Sequence, residues 1–258
     1  MRAFTVIEPG NGGPAIPAGA CAVGIMAKIP RSGRVKTRLV PPLTYQQASL
    51  LSQCFLRDVG AAIARAALAE RSFVHGIAVY LPQGEEQILG GLLPPGFRLL
   101  LQRGGDLGER LFHATEDLLA SGFESACLVN SDSPTLPSAF LQQAALALQA
   151  EGDRVVLGPA ADGGYYLIGV KRAHHRLFEG ISWSTPAVLG QTLERARELS
   201  LEVRLLPEWY DVDDLESLRV LCRELLASGD GTTAGLDGAS TRALLRTLLP
   251  QLGESSLE

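Results

Sequence analysis

Three cationic residues, Arg34, Lys36 and Arg38, alternate over five positions shortly after an apolar run that ends at Lys28. Gly33 directly precedes them, and glycine lets a backbone approach a bound group closely. Lysine and arginine side chains neutralise phosphate oxygens. This stretch therefore predicts a loop that binds a diphosphate or a triphosphate. It is not a Walker loop, because the spacing Gly-x-x-x-x-Gly-Lys-Ser/Thr is absent.

Acidic residues follow two of the predicted strands. Asp132 comes shortly after the apolar run 125–130, and Asp213 belongs to the segment Asp-Val-Asp-Asp that follows the predicted strand 201–206. In an open α/β sheet, ligands bind beyond the carboxyl ends of the strands, and proteins hold Mg²⁺ with carboxylates and substrate phosphates. Asp132 and Asp213 are therefore the predicted ligands of Mg²⁺ or Mn²⁺. The simpler interpretations are a turn aspartate in Ser-Asp-Ser-Pro and a helix start that favours acidic side chains.

Two glycine-rich segments offer further contacts. Asp162, Gly163 and Gly164 lie between two predicted strands and indicate either a floor for an acceptor or phosphate, or a hairpin-like turn. Gly105 and Asp106 lie between a predicted strand and a predicted helix, whose first N–H groups lack intrahelical partners and can bind a ligand. For that second segment alone, a plain β-to-α turn is the favoured interpretation.

Strands and helices alternate along the chain and must position these residues. The apolar runs predict a short strand over 4–7 and longer strands over 21–27, 72–81, 97–101, 125–130, 153–158, 166–170 and 201–206. Helices are predicted after Thr44, near 85–90, up to 121, over 137–149, from a cap at Thr185 to 200, over 214–227 and over 241–252. This alternation predicts an α/β protein with a mainly parallel sheet, helices on both faces and antiparallel additions.

Composition narrows the class of protein. The net charge of −5 argues against bulk attraction to nucleic acid or to an anionic membrane. The four cysteines show no CxxC spacing, so we expect buried free thiols rather than disulfides or a zinc site. No apolar run reaches membrane-spanning length and no signal-peptide core is present, so a cytoplasmic location is predicted. Residues 1–20 are rich in glycine and proline and are predicted to form a flexible extension, followed by one domain over 21–258.

Several of these motifs together resemble one bacterial family. They are Lys28-x-Pro-x-x-Gly33-x-x-Lys36-Thr-Arg-Leu, Gly105-Asp-Leu-Gly-Glu-Arg, Ser131-Asp-Ser-Pro, Asp162-Gly-Gly-Tyr-Tyr-Leu, Trp183 and Asp211-Val-Asp213. The family is commonly labelled a glycosyltransferase, sometimes associated with arsenosugar biosynthesis, and belongs to the nucleotide-diphospho-sugar transferase (GT-A) superfamily. More distantly, the sequence resembles phospholactate guanylyltransferase and molybdenum cofactor guanylyltransferase. The resemblance covers about residues 21–250. One departure is Ser-Asp-Ser in place of the Asp-x-Asp of many glycosyltransferases.

The resemblance implies a Rossmann-like GT-A fold, a nucleotide across the first loop, and Mg²⁺ at Asp132. Combined with the residue patterns, it yields a set of predicted site residues: Lys28, Gly33, Arg34, Lys36, Thr37, Arg38, Gly105 and Asp106 for the nucleotide; Gly163, Gly164, Tyr165 and Trp183 for the acceptor; and Lys36, Arg38 and Asp162 for catalysis. The first loop is expected to be exposed, so replacing Lys36 would weaken nucleotide binding without unfolding the protein.

Three functions remain open. The first is nucleotidyl transfer from an NTP to a small phosphorylated or phosphonate acceptor, with release of pyrophosphate. The second is glycosyl transfer from an NDP-sugar to a small acceptor, with Asp162 as the base. The third is nucleotide binding without catalysis. Retained acidic and basic residues make the third the least favoured, and the sequence leaves the oligomeric state open.

Overall fold

A seven-stranded mixed sheet lies at the centre of the computed structural model, which describes residues 5–10, 16–69, 72–226 and 238–252. The strands are β1 (Cys21–Lys28), β2 (Val74–Leu81), β3 (Arg98–Leu101), β4 (Ser125–Val129), β5 (Arg154–Pro159), β6 (Tyr165–Val170) and β7 (Glu202–Leu205). Their order across the sheet is β3-β2-β1-β4-β6-β5-β7. Neighbouring strands run parallel except β6, which is antiparallel to both β4 and β5. The predicted α/β class, the mainly parallel sheet and the late antiparallel addition are confirmed.

Burial explains why β1 and β4 are continuous apolar runs. Both lie in the middle of the sheet, and Val23 of β1 pairs with Gly76 of β2 on one side and Cys127 of β4 on the other. A strand covered on both faces has no solvent side, so it needs no polar residues in alternation. All four cysteines are buried and free, as expected.

Seven helices in the described part of the chain cover the sheet and its edge. They are α1 (Tyr45–Leu68), α2 (Glu86–Leu92), α3 (Leu107–Ala120), α4 (Ser138–Gln149), α5 (Val188–Glu198), α6 (Leu215–Leu226) and α7 (Ala239–Leu252). Apolar side chains of α1, α2 and α4 form the core on one face of the sheet, and those of α3 and α5 form the core on the other. Helices therefore lie on both faces, as predicted. None of the described helices is long and apolar enough to span a membrane.

A third apolar cluster lies beside the sheet, and we call it the flanking core. It joins α1, α6 and α7 to residues outside these helices, which include Leu39 and Val212, both fully buried. Leu39 follows the cationic loop, and Val212 lies between Asp211 and Asp213. The flanking core therefore anchors two segments that sequence analysis singled out for chemistry.

Local signals predicted most helix boundaries but not the start of α5. Thr44 begins α1 with a capping box in which its hydroxyl accepts from the backbone of Gln47 and the Gln47 side chain accepts in return. Thr185 was predicted to cap α5, but this helix starts at Val188 and its N-cap, Ala187, makes no side-chain bond. The Thr185 hydroxyl donates to the Ser182 carbonyl and accepts from the Ala187 N–H over 3.3 Å, so it orders the turn that leads into the helix.

The short strand predicted over 4–7 corresponds to a bridge at its described end. Val6 pairs in parallel with Leu99 of β3, and the Ile7 N–H donates to the Leu99 carbonyl over 2.7 Å. Residues 1–4, 11–15, 70–71, 227–237 and 253–258 lie outside the described residues, and so does the last residue of the helix predicted over 214–227. The flexible extension over 1–20 and the single domain over 21–258 remain predictions.

Candidate active site at the carboxyl edge of the sheet

The loop after β1 turns back toward the sheet at two residues with positive φ. Gly33 has φ +73°, and Lys36 has φ 48° and ψ 38°, the left-handed region that few non-glycine residues adopt. A single 3₁₀ turn, Thr37–Leu39, follows, and the buried Leu39 side chain fastens it to the flanking core. The loop is therefore held close to the carboxyl ends of β1 and β4 instead of extending into solvent.

A hollow of about 250 Å³ lies under this loop, and we call it the cationic hollow. Its charged and polar lining comprises Lys28, Arg34, Lys36, Thr37, Arg38, Ser52, Ser131, Asp132 and Asp213. Within the described residues, the exposed side chains of Lys28 and Arg34 form no ion pair, so their charges are left for a ligand. Arg31 belongs to the same loop but pairs with Glu85 outside the hollow.

Lys36 is buried, which corrects the expectation of an exposed side chain. Only 5% of its side chain is accessible. Its ammonium lies 2.8 Å from Asp132 Oδ1 and 3.0 Å from Asp213 Oδ1, and it donates to the Val212 carbonyl over 2.7 Å. Burial by itself lowers the pKa of Lys36, but the carboxylates of Asp132 and Asp213 outweigh burial and raise the pKa above its usual value. Lys36 is therefore charged at neutral pH.

Backbone hydrogen bonds bring Asp132 and Asp213 together. After β4, the Asn130 side chain accepts from the backbone of Asp132, which turns the chain at the sheet edge. The Val212 N–H then donates to the Asp132 carbonyl over 2.9 Å. Asp213 Oδ2 also accepts from Arg38 over 2.6 Å, so both of its oxygens face cations of the first loop. The two predicted metal ligands thus share one ammonium group.

These two carboxylates suit a metal that arrives with phosphates. Within residues 5–10, 16–69, 72–226 and 238–252, no three acidic, histidine or cysteine side chains are arranged to hold a metal ion by themselves. Mg²⁺, however, is commonly bound through one or two protein carboxylates while substrate phosphates and water complete its six ligands. The Asp132 and Asp213 oxygens provide hard anionic ligands of that kind at the edge of the cationic hollow.

A second hollow, of about 290 Å³, adjoins the first, and we call it the aromatic hollow. Arg38 and Asp213 line both hollows and so form the boundary between them. Tyr165 and Trp183 meet edge to face with ring centroids 6.4 Å apart. Leu107 and Leu111 of α3 provide an apolar wall. This combination of flat apolar walls and a few polar groups is typical of a site for a small organic molecule.

Asp211 belongs to the motif Asp211-Val-Asp213 but was not among the predicted site residues. It lines the aromatic hollow together with Asp162 and Asp213. Burial raises the pKa of Asp211 to about 6, and the charges of Asp162, Asp213 and Asp132 act in the same direction. The alternation Asp-Val-Asp could have indicated Asp211 from the sequence. Because Val212 is buried in the flanking core, the side chains of Asp211 and Asp213 on either side of it face the opposite way.

Asp162, Gly163 and Gly164 form a turn at the rim of the aromatic hollow. Asp162 Oδ1 accepts from the Gly164 N–H over 2.8 Å, as in an Asx turn. Asp162 and Gly164 line the hollow, whereas Gly163 does not. Gly163 has φ +88°, and a Cβ there would lie 2.4 Å from the carbonyl oxygen of Pro186. Its role in the structure is close packing of this turn against the segment that precedes α5.

Gly105 and Asp106 lie at the start of α3 and line neither hollow. Asp106 is the N-cap, and its Oδ1 accepts from the Glu109 N–H over 2.8 Å. The Glu109 carboxylate in turn accepts from the Gly105 N–H over 2.6 Å. Gly33 is also absent from the lining of both hollows. Local structure accounts for these three residues, and their contact with a nucleotide remains a prediction.

Comparison with known proteins places this geometry in context. A family described as "Uncharacterized protein conserved in bacteria (DUF2064)" matches residues 63–185. A solved structure from Desulfovibrio desulfuricans G20, described as a "putative nucleotide-diphospho-sugar transferase", shares 31% sequence identity, covers 93% of this chain and 97% of its own, and superposes with a TM-score of 0.77. No curated protein sequence matches significantly.

Lower similarity extends to other enzymes of the same fold. A 4-diphosphocytidyl-2C-methyl-D-erythritol synthase from Anaerococcus prevotii shares 11% identity, covers 84% of this chain and all of its own, and has a TM-score of 0.51. A second structure of that type of synthase shares 13% identity, covers 78% of this chain and 96% of its own, also with a TM-score of 0.51. At such identities the likeness concerns the fold alone.

Proposed function

The chain belongs to the same family as the Desulfovibrio desulfuricans protein, and on that premise we propose that it is a Mg²⁺-dependent transferase whose donor is a nucleotide polyphosphate. The reaction that we favour is nucleotidyl transfer from an NTP to a small phosphorylated or phosphonate acceptor. The four cysteines are buried free thiols, and on that basis we also propose a reducing, cytoplasmic location.

One observation carries the proposal: the cationic hollow contains more positive charge than its own carboxylates neutralise. Lys28 and Arg34 have no ionic partner among the described residues, and Arg38 shares Asp213 with Lys36. A triphosphate, and the pyrophosphate that leaves it, needs more neutralisation than the diphosphate of an NDP-sugar already held by a metal. The surplus of cations therefore favours an NTP as the donor.

In the favoured reaction, an acceptor oxygen attacks the α-phosphorus of the NTP. A new phosphorus–oxygen bond forms, the bond from the α-phosphorus to the bridging oxygen breaks, and pyrophosphate leaves with that electron pair. Lys28, Arg34 and Arg38 would hold the phosphates in line and stabilise the charge on the leaving group. Mg²⁺ held by Asp132 and Asp213 would supply further neutralisation of phosphate oxygens.

The aromatic hollow would hold the acceptor next to the reacting phosphate, because Arg38 and Asp213 border both hollows. Tyr165 and Trp183 offer flat faces for it, and Asp162 and Gly164 lie at its rim. If the acceptor group is a hydroxyl, Asp162 would be the candidate base.

Glycosyl transfer is the second candidate, and the name of the Desulfovibrio desulfuricans relative favours it. In that reaction Asp132 would hold the metal on the diphosphate of an NDP-sugar, and Asp162 would accept the proton of an acceptor hydroxyl. The two candidates share the cationic hollow and differ in which bond of the donor breaks.

A panel of NTPs and NDP-sugars, each with and without Mg²⁺, separates the two candidates. We expect NTPs with Mg²⁺ to raise the melting temperature more than NDP-sugars do, and to release pyrophosphate in the presence of small phosphorylated or phosphonate acceptors. Stabilisation and slow hydrolysis of an NDP-sugar, with no response to any NTP, would establish glycosyl transfer instead. Asp132→Asn should abolish the dependence on Mg²⁺ in either case.

Charge variants test the cationic hollow directly. Lys28→Met and Arg34→Met should each weaken NTP binding about 10- to 100-fold, since a hydrogen bond between charged groups contributes about 1.5–3 kcal/mol. Arg31→Met is the matched control. Arg31 is a cation of the first loop, but its guanidinium pairs with Glu85 and does not face the hollow. If NTP binding were weakened equally in all three variants, only the total positive charge of this region would matter.

A further inference from the structure

We propose that the Lys36 ammonium occupies the divalent-cation position in the metal-free protein, and that metal binds only when Lys36 leaves it. This inference rests on the proposed function, because it assumes that Asp132 and Asp213 are the metal ligands. It adds to that proposal that the polyphosphate and the metal bind together, whereas the free metal ion by itself binds poorly.

The contacts of Lys36 resemble those of a bound cation. Its Nζ lies within 3.0 Å of three oxygens, which belong to the Asp132 carboxylate, the Asp213 carboxylate and the Val212 carbonyl. An ammonium has three N–H donors, so these contacts use all of them. Carboxylate and carbonyl oxygens are also the ligands of hard divalent cations. One set of oxygens thus serves either ion.

The ammonium and a metal ion exclude each other at this position. Two cations bound to the same carboxylate oxygens would repel each other strongly at the separation that this requires. A metal ion that uses Asp132 Oδ1 and Asp213 Oδ1 must therefore break the contacts of Lys36 with those oxygens, and the lost contacts reduce the affinity for a free metal ion. No such penalty applies to Lys28, which lines the same hollow and contacts neither carboxylate.

A bound polyphosphate offers Lys36 new partners. Lys36 itself lines the cationic hollow, so a phosphate there lies within reach of a rotated side chain. Its backbone at φ 48° and ψ 38° is unfavourable for a residue with a Cβ, and the buried contacts of the ammonium help to offset that strain. Because coupling between two ligands is reciprocal, a phosphate that draws Lys36 away must strengthen metal binding, and the metal must strengthen phosphate binding.

The first experiment measures Mn²⁺ binding to the nucleotide-free protein from the electron paramagnetic resonance signal of free Mn²⁺. Lys36→Met keeps a long unbranched side chain, one atom shorter, but removes the competing charge, so we expect Mn²⁺ to bind about tenfold more tightly than to the unaltered protein. Lys28→Met is the matched control, since it removes one positive charge from the same hollow without freeing a carboxylate. Its Mn²⁺ affinity should change by much less.

Three outcomes would overturn the proposal. They are an equal gain of affinity in both variants, an unchanged affinity in Lys36→Met, and the absence of Mn²⁺ binding in every form. None of them decides whether an NTP binds, because donor binding is measured separately in the nucleotide panel without metal. A failed inference about Lys36 therefore remains distinguishable from a failed proposal about the donor.

A second measurement uses the unaltered protein and does not depend on the folding of a variant. The chain contains three lysines, Lys28, Lys36 and Lys171, so acetylation by acetic anhydride can be followed at each one by mass spectrometry. Lys171, which bonds to the Ala150 carbonyl away from both hollows, is the internal reference. Saturating Mn²⁺ should raise the labelling of Lys36 relative to Lys171 severalfold. Labelling of Lys36 that stays constant or falls would contradict displacement of its ammonium.

Discussion

Two residues with positive φ, Lys36 and Gly163, shape the candidate site, although only Lys36 lines a hollow. At Lys36 the left-handed backbone directs a long cationic side chain inward, onto Asp132 and Asp213. At Gly163 it lets the turn after β5 contact the backbone of Pro186. At Lys36 the buried contacts of the side chain offset the strain of the left-handed backbone, whereas Gly163 has no Cβ and experiences little strain in that conformation.

Gly163→Ala should destabilise the protein more than a left-handed glycine elsewhere does. Gly96 is the matched control, because its φ of +89° is nearly the same as the +88° of Gly163, yet a Cβ there meets nothing within 4 Å. Gly96→Ala should cost about 1–2 kcal/mol from φ alone. Gly163→Ala adds overpacking against Pro186, about 1–3 kcal/mol more. Urea unfolding of both variants checks this, and equal losses would mean that the Pro186 contact relaxes freely.

At the scale of elements, the start of α3 shows how one helix terminus can serve local structure instead of a ligand. The Asp106 and Glu109 side chains take up the N–H groups of Glu109 and Gly105, respectively. Such pairing satisfies donors that a helix start leaves free. The helix contributes to the site through Leu107 and Leu111, which line the aromatic hollow.

Replacing Asp106 separates a capping role from a ligand contact. Asp106→Ala should lower the free energy of unfolding by about 1 kcal/mol, because the cap is lost, while Asp106→Ser should retain most of it. If Asp106 acts only as a cap, the dissociation constant of the nucleotide is the same in both variants and in the unaltered protein. If Asp106→Ser bound the nucleotide more weakly at nearly unchanged stability, Asp106 would be a residue that contacts the nucleotide.

At the scale of the whole molecule, the flanking core connects the carboxyl-terminal part of the chain to the site. Helix α7 packs in it beside Leu39 and Val212, the neighbours of the cationic loop and of Asp213. Buried Asp58 of α1 also accepts from the Ser240 and Thr241 N–H groups and from the Thr241 hydroxyl, which caps α7 onto α1. The site thus depends on a helix that begins more than a hundred residues after the loop that it supports.

Two leucines with the same burial test that dependence. Leu245 of the flanking core and Leu148 of the core beneath α4 are each 1% exposed. Leu245→Ala and Leu148→Ala should both lose about 2–5 kcal/mol of stability. Hydrogen exchange should differ between them: Leu245→Ala should speed exchange at residues 36–43 and 211–214, and Leu148→Ala should leave it unchanged there. The same exchange pattern in both variants would mean that the flanking core does not support the site specifically.

The sequence alone determined the framework of this protein. Runs of apolar residues predicted the inner strands, because a strand covered on both faces must be apolar along its length, whereas the edge strand β7 is mostly exposed and contains Glu202 and Arg204. Leu51, Phe55, Val59 and Ile63 recur every fourth residue, which is the spacing of one helix face, and all four are fully buried in α1. Strand ends and turn residues also indicated which side chains lie at the carboxyl edge of the sheet, because parallel strands end together there.

Only the tertiary structure decided which of those side chains meet, and how. Lys36 and Asp213 are 177 positions apart, and no local pattern encodes the direction in which a loop lysine points. The left-handed backbone at Lys36 and the anchoring of Leu39 turn its side chain inward, which reverses the expectation of an exposed residue. Asp211 became a candidate through burial near three other carboxylates. Local periodicity reflects which face of an element is buried, whereas the contacts of a site depend on how distant elements pack, and that is a property of the whole fold.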